Sequence, residues 1–81
     1  MQMEERTLAE GCRNGDGAAQ RELYDRYAGR LLAVCLRYAG DRATAEDLLH
    51  DAFLKIYGAF SKFEYRGAGS LRAWMERVTV N

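Results

Sequence analysis

From about Gly17 to Ala39 the chain carries apolar side chains on two opposite sides of one helical period. Leu23, Tyr27, Leu31, Val34, Cys35 and Tyr38 recur at three- and four-residue steps, which gathers them on one side of a helix. Leu32 and Leu36 lie toward the other side. A helix that is apolar on two sides has to be covered on both, so this segment predicts a central helix with neighbours packed around it. Asp16 stands before it as an N-cap, its carboxylate accepting from the free N–H groups of the first turn, and Gly40 closes it. Gly29 falls inside the run, where it costs about 1 kcal/mol against Ala. A close contact with another helix is the expected reason for it.

The rest of the chain supplies those neighbours. No proline occurs, and Ala, Leu, Glu and Arg dominate, which is helix composition. A short first helix is expected from about Glu4 to Arg13, with Leu8 and Cys12 facing one way and Asn14-Gly15 ending it. A third runs from about Ala45 to Phe60. Thr44 and Asp47 form a capping-box-like pair at its start, and Leu48, Leu49, Ala52, Phe53, Ile56 and Phe60 form its buried stripe. A fourth starts at about Leu71 with Ser70 as N-cap; Leu71, Trp74, Met75 and Val78 make its core face. The expected fold is all-α, a compact bundle of about four helices in one domain. Its 81 residues would bury about 60 % of the unfolded surface, so its stability is modest.

Charge is uneven although it sums to zero. Residues 1–40 carry six acids and six Arg. Residues 41–60 set Asp41, Glu46, Asp47 and Asp51 against Arg42 and Lys55, while 61–81 set Lys62, Arg66, Arg72 and Arg77 against Glu64 and Glu76. A mildly acidic third quarter thus precedes a mildly basic last one. The two cysteines, Cys12 and Cys35, sit in helical apolar contexts and read as small core residues in a reducing compartment. The first residues lack an apolar signal core, and no stretch approaches the roughly 20 apolar residues of a membrane span, so a cytoplasmic protein without membrane insertion is expected. A helical pattern that runs to Val80-Asn81 without a terminating signal suggests a piece of something longer.

Two surfaces invite function. On the third helix Asp47, His50, Asp51 and Leu54 project away from the buried stripe. Leu54 is either an ordinary surface Leu or an apolar knob ringed by carboxylates, suited to a basic, partly apolar partner. Residues 61–69, Ser-Lys-Phe-Glu-Tyr-Arg-Gly-Ala-Gly, form a loop whose Phe63 and Tyr65 either fold back on the core or stack on unpaired bases. Arg77 and Asn81, one turn apart, are either a solvated edge or a base- and phosphate-contacting one. Catalysis finds little support. His50 has acidic neighbours but no nucleophile, and Glu46, Asp47 and Asp51 do not converge as a metal site would require. The glycine-rich stretches lack the Lys-Ser/Thr pair of a phosphate-binding loop. No enzyme, metal or cofactor is expected.

The stretch Ala45-Glu46-Asp47-Leu48-Leu49-His50-Asp51-Ala52-Phe53-Leu54-Lys55-Ile56-Tyr57 resembles region 2 of bacterial sigma factors of the extracytoplasmic-function (ECF) type, in the sigma-70 family. The resemblance continues in order through Phe63-Glu64-Tyr65-Arg66-Gly67, Gly69-Ser70-Leu71 and Trp74-Met75-Glu76-Arg77-Val78-Thr79-Val80-Asn81. Gly15-Asp16-Gly17-Ala18-Ala19 and Leu23-Tyr24-Asp25-Arg26-Tyr27 also fit, so it covers about Leu8 to Asn81. His50 stands where Gln is common, Tyr65 interrupts a Phe-Arg-Gly run, and Leu71 replaces a frequent Phe. The resemblance implies a region 2 domain over 1–81, without the second helical domain that reads the −35 element. It implies a sigma factor that directs transcription initiation. Asp47, His50, Asp51 and Leu54 would dock on the clamp helices of the largest subunit of core RNA polymerase. Phe63, Tyr65, Arg66, Gly67 and Ser70 would form a pocket for a flipped base of the −10 promoter element. Arg72, Arg77 and Asn81 would hold the non-template single strand beside it. An anti-sigma factor is a further partner expected from the family.

Two other readings fit parts of the pattern. A helical protein-binding regulator without a DNA role would use the Leu54 face alone. A helix-turn-helix protein would insert the fourth helix into duplex DNA, but that helix carries only two Arg and commits its apolar face to packing.

Overall fold

The computed structural model describes residues 3–80, and α2 (Gly17–Ala39) lies at its centre, packed against α1 (Glu5–Arg13), α3 (Arg42–Ala59) and α4 (Ser70–Val80). A single 3-10 turn, Phe60–Lys62, continues α3 into the loop before α4. The described residues thus form an all-α bundle of four helices without strands. Asn81 lies outside them.

The ends of α2 follow from its sequence. The Asp16 carboxylate accepts from the Ala18 N–H at 3.0 Å, and the Gly40 N–H donates to the Leu36 carbonyl at 3.2 Å. Ala19, Leu23, Leu31 and Cys35 are buried, and Leu32 is half-buried on the other side. Tyr38 departs from the expected stripe. It is 71 % exposed, because it stands in the last turn and borders an open groove against α4. The close helix contact expected at Gly29 is also absent, with nothing within 4 Å of a Cβ built there. That contact is made at Gly11, inside α1, where an added Cβ would stand 2.6 Å from the Ala19 Cβ of α2.

α3 starts earlier than Thr44 implies. Asp41 is its N-cap; its carboxylate accepts from the Thr44 N–H at 2.8 Å and from the Thr44 hydroxyl at 3.0 Å. Both bonds favour the ionised form and hold the Asp41 carboxyl below the usual carboxylate range. Ala45, Leu49, Ala52, Phe53 and Ile56 are buried as the stripe requires, whereas Leu48 is 40 % exposed. At about 100° per residue Leu48 lies at the margin of the stripe.

The core joins all four helices. Leu8 and Cys12, Leu23 and Leu31, Ile56 and Phe60, and Leu71 and Met75 are all buried. Each large apolar side chain buried in this way stabilises the fold by about 1.5–3 kcal/mol. Cys12 and Cys35 are free thiols within it. Burial, with a smaller push from the Asp16 charge, raises the Cys12 thiol to about 11, and burial raises Cys35.

Candidate functional site

The outward face of α3 carries Asp47, His50, Asp51 and Leu54, all exposed. Leu54 is 59 % exposed. Asp47 and Leu54 are seven residues apart, close to two helical turns, so they lie on one line opposite the buried stripe. Asp51 and His50 flank that line. Leu54 stands outside the core cluster, on the same exposed face as the Asp47 and Asp51 carboxylates.

The second surface is built where the loop meets α4. A cavity of about 570 Å³ is lined by Lys62, Phe63, Glu64 and Arg66 from the loop side and by Ser70, Ala73, Trp74 and Arg77 from α4. That size falls within the roughly 300–1,000 Å³ of ordinary ligand sites. Its apolar floor is an aromatic cluster. Phe60 and Trp74 have ring centroids 5.0 Å apart, and Phe63 and Trp74 4.9 Å apart. Its rim carries three cations, Lys62, Arg66 and Arg77, against one carboxylate, Glu64. Arg66 and Glu64 pair at 3.1 Å, but both are so exposed that the pair contributes little.

The loop's conformation aims these groups. It leaves the 3-10 turn extended, with Phe63 at φ −78° and ψ 134°. Side chains then alternate: Phe63 is buried, Glu64 exposed, Tyr65 half-buried, Arg66 exposed. Gly67 has φ +110° and Gly69 φ +87°, conformations that L side chains rarely adopt, and they turn the chain into α4. The Ser70 hydroxyl donates to the Gly67 carbonyl at 2.8 Å and accepts from the Arg66 N–H at 3.1 Å. The sequence implied that Ser70 caps α4; its hydroxyl closes the loop instead. The capping group comes from α1. The Glu5 carboxylate accepts from the Gly69 N–H at 3.0 Å and from the Leu71 N–H at 2.9 Å.

The residues expected to touch DNA are therefore only partly gathered. Arg66, Ser70 and Arg77 line the cavity, and Gly67 shapes the loop beside it. Phe63 is 3 % exposed and forms the floor, so its ring is not free to be sandwiched by a base. Tyr65 faces α1 instead, under the Arg6 guanidinium at 4.9 Å from its ring centroid. Arg72 is exposed outside the cavity and pairs loosely with Glu76 at 3.8 Å. Trp74 and Lys62 were not singled out as site residues. Ser70, Trp74 and Arg77 follow at i, i+4 and i+7, so Trp74 was legible as a neighbour of the other two. Among the described residues no three His, Cys, Asp or Glu side chains gather as a metal site needs. No helix is long and apolar enough to cross a membrane, among the same residues.

The family description of sigma-70 region 2 matches residues 23–81, which include the α3 face, the loop and α4. The chain belongs to that family. Sigma factors are not enzymes, in line with the thin catalytic inventory. The chain is 30 % identical over 80 residues to RNA polymerase sigma-H factor of Pseudomonas aeruginosa, covering 99 % of this chain and 40 % of that protein. It is 39 % identical over 69 residues to ECF RNA polymerase sigma factor SigG of Mycobacterium tuberculosis, covering 85 % of this chain and 17 % of that one. ECF RNA polymerase sigma factor BldN of Streptomyces coelicolor is 31 % identical over 74 residues, 91 % of this chain and 28 % of its own length. The chain thus spans less than half the length of these curated relatives. No solved structure matches it.

Proposed function

We propose that the chain is the region 2 domain of an ECF-type sigma factor, which docks on core RNA polymerase through α3 and captures unpaired −10 promoter DNA at the cavity between the loop and α4. The observation that carries this reading is the cavity itself. It joins an aromatic floor to three cations, and it lies within the stretch matched by sigma-70 region 2. An extruded base offers a flat apolar face and polar edges, and its flanking phosphates offer negative charge. The Trp74 edge and the Ser70 hydroxyl meet the base; Arg66, Arg77 and Lys62 meet the strand. Opening DNA costs about 1.4 kcal/mol per stacked base-pair step. Stacking at about 1–3 kcal/mol per base, together with phosphate contacts, offsets a melted segment of a few pairs. No bond is made or broken, and synthesis belongs to the polymerase.

Docking uses the opposite chemistry. Leu54 supplies an apolar anchor, and Asp47 and Asp51 favour a basic partner surface. The α3 face is acidic and the cavity rim basic, so a chain of zero net charge serves a protein partner and a nucleic acid at once.

The test is capture of a fluorescent single-stranded −10 oligonucleotide by the chain bound to bacterial core polymerase, at several salt concentrations. Arg77→Ala is expected to weaken capture and to lower the slope of log affinity against log salt by about 0.7, the share of one phosphate contact on a single strand. Unchanged affinity and slope would contradict the reading.

A further inference from the structure

The loop that frames the cavity is tied at both ends to α1. At its entrance the Arg13 guanidinium donates to the Phe60 carbonyl at 3.2 Å and to the Phe63 carbonyl. At its exit the two Glu5 oxygens accept from the Gly69 and Leu71 N–H groups. Between them Arg6 lies over the Tyr65 ring. Glu5 and Arg13 are eight residues apart, about 12 Å along the helix at 1.5 Å per residue. One short helix therefore spans the loop as a clamp. Residues 64–69 have no regular structure of their own, and the bonds they make locally are the turn closed by Ser70 and the exposed Arg66–Glu64 pair. The Glu5 carboxylate also sits at the positive end of the α4 dipole, where a negative charge is favoured. All three clamping residues precede residue 23, where the sigma-70 region 2 match begins.

We propose that α1 is the positioning element of the base-capturing loop and that Glu5 sets the loop's register on α4. Glu5 does not touch DNA. It fixes Gly69 and Leu71, and so fixes where Arg66, Ser70 and the cavity mouth stand relative to Trp74 and Arg77. The role rests on the proposed capture of −10 DNA. Its consequence is specific: discrimination between bases depends on Glu5, while docking through α3 does not.

The test compares wild type with Glu5→Ala and Glu5→Gln in the full 81-residue chain. Hydrogen exchange at the Gly69 and Leu71 amides is read first. Glu5→Ala is expected to speed it about tenfold, as loss of a charge-assisted bond implies. Glu5→Gln keeps one acceptor and the side chain's shape, and is expected to fall between. With core polymerase bound, two single-stranded −10 oligonucleotides differing at one base are then compared. The affinity ratio between them is expected to shrink about tenfold in Glu5→Ala and to recover in part in Glu5→Gln, with polymerase affinity unchanged. Equal discrimination by wild type and Glu5→Ala, with the amides deprotected, would overturn the role of Glu5 alone. A wild-type chain that docks but captures neither oligonucleotide would overturn the DNA reading and this role with it.

Discussion

Gly11 and Gly29 are both helical glycines with opposite surroundings. A methyl group at Gly11 would meet the Ala19 Cβ at 2.6 Å, and neither carbon is the end of a flexible side chain. α1 would have to lift from α2, so Gly11→Ala is expected to cost about 1–3 kcal/mol. At Gly29 the space is open, and Gly29→Ala is expected to gain about 0.5–1 kcal/mol from helix propensity. Thermal unfolding resolves both, since 1 kcal/mol shifts Tm by about 4–8 °C in a domain of this size. A shift of the same sign at both sites would contradict the packing described. Asp41 allows a test by pH. Its hydrogen bonds to Thr44 lower its folded pKa below the unfolded value. Its contribution is therefore complete above the ordinary carboxylate range and is lost as the pH falls through the lowered value. Asp41→Asn keeps an acceptor for the Thr44 N–H but does not titrate. Its stability in urea is expected to fall less steeply than the wild type's as the pH drops from about 5 to about 3. Parallel losses would contradict that account.

At the scale of elements, the helices were legible because their apolar period is strong and their punctuation is local. Their starts were less so. Asp41-x-x-Thr44 and Thr44-x-x-Asp47 are both cap-like spacings, and the earlier one wins because Gly40 ends α2 and leaves Asp41 extended, at φ −137° and ψ 160°. The local cap signal of α4, Ser70, pointed to the wrong group, since its hydroxyl is spent on the loop. The capping carboxylate comes from Glu5, 64 positions before Gly69. Only the tertiary fold brings the two together. The loop aromatics show the same limit. Phe63 and Tyr65 leave the extended segment on the same side, and they differ in fate because Phe63 packs against Phe60 and Trp74 while Tyr65 reaches α1 under Arg6; composition alone does not say which is buried. Phe63→Ala is accordingly expected to act on stability, at about 3–5 kcal/mol. That is a large part of the roughly 4–12 kcal/mol a chain of this length holds. Thermal unfolding without DNA checks it. An unchanged Tm with lost DNA capture would return Phe63 to the pocket role that the resemblance implied.

At the scale of the whole molecule, a body of 34 × 22 × 20 Å carries an acidic face with an apolar knob on α3 and a basic, aromatic-floored cavity at α4. The α3 face was legible from helical period alone, since Asp47, His50, Asp51 and Leu54 are all exposed as the spacing implies. The cavity was only half legible, because its floor and its α1 clamp depend on packing between distant segments. The proposed role of this body is docking on the polymerase. Its most direct test is a fluorescence-anisotropy titration of the labelled chain against bacterial core RNA polymerase, with Leu54→Asp alongside. Leu54 is 59 % exposed and outside the core cluster, so the variant is expected to keep its stability within the roughly 0.5 kcal/mol scatter of surface substitutions. Saturable wild-type binding, weakened about tenfold or more in Leu54→Asp, is expected if α3 is the docking face. A folded wild type that does not bind, or a variant that binds equally well, would contradict it.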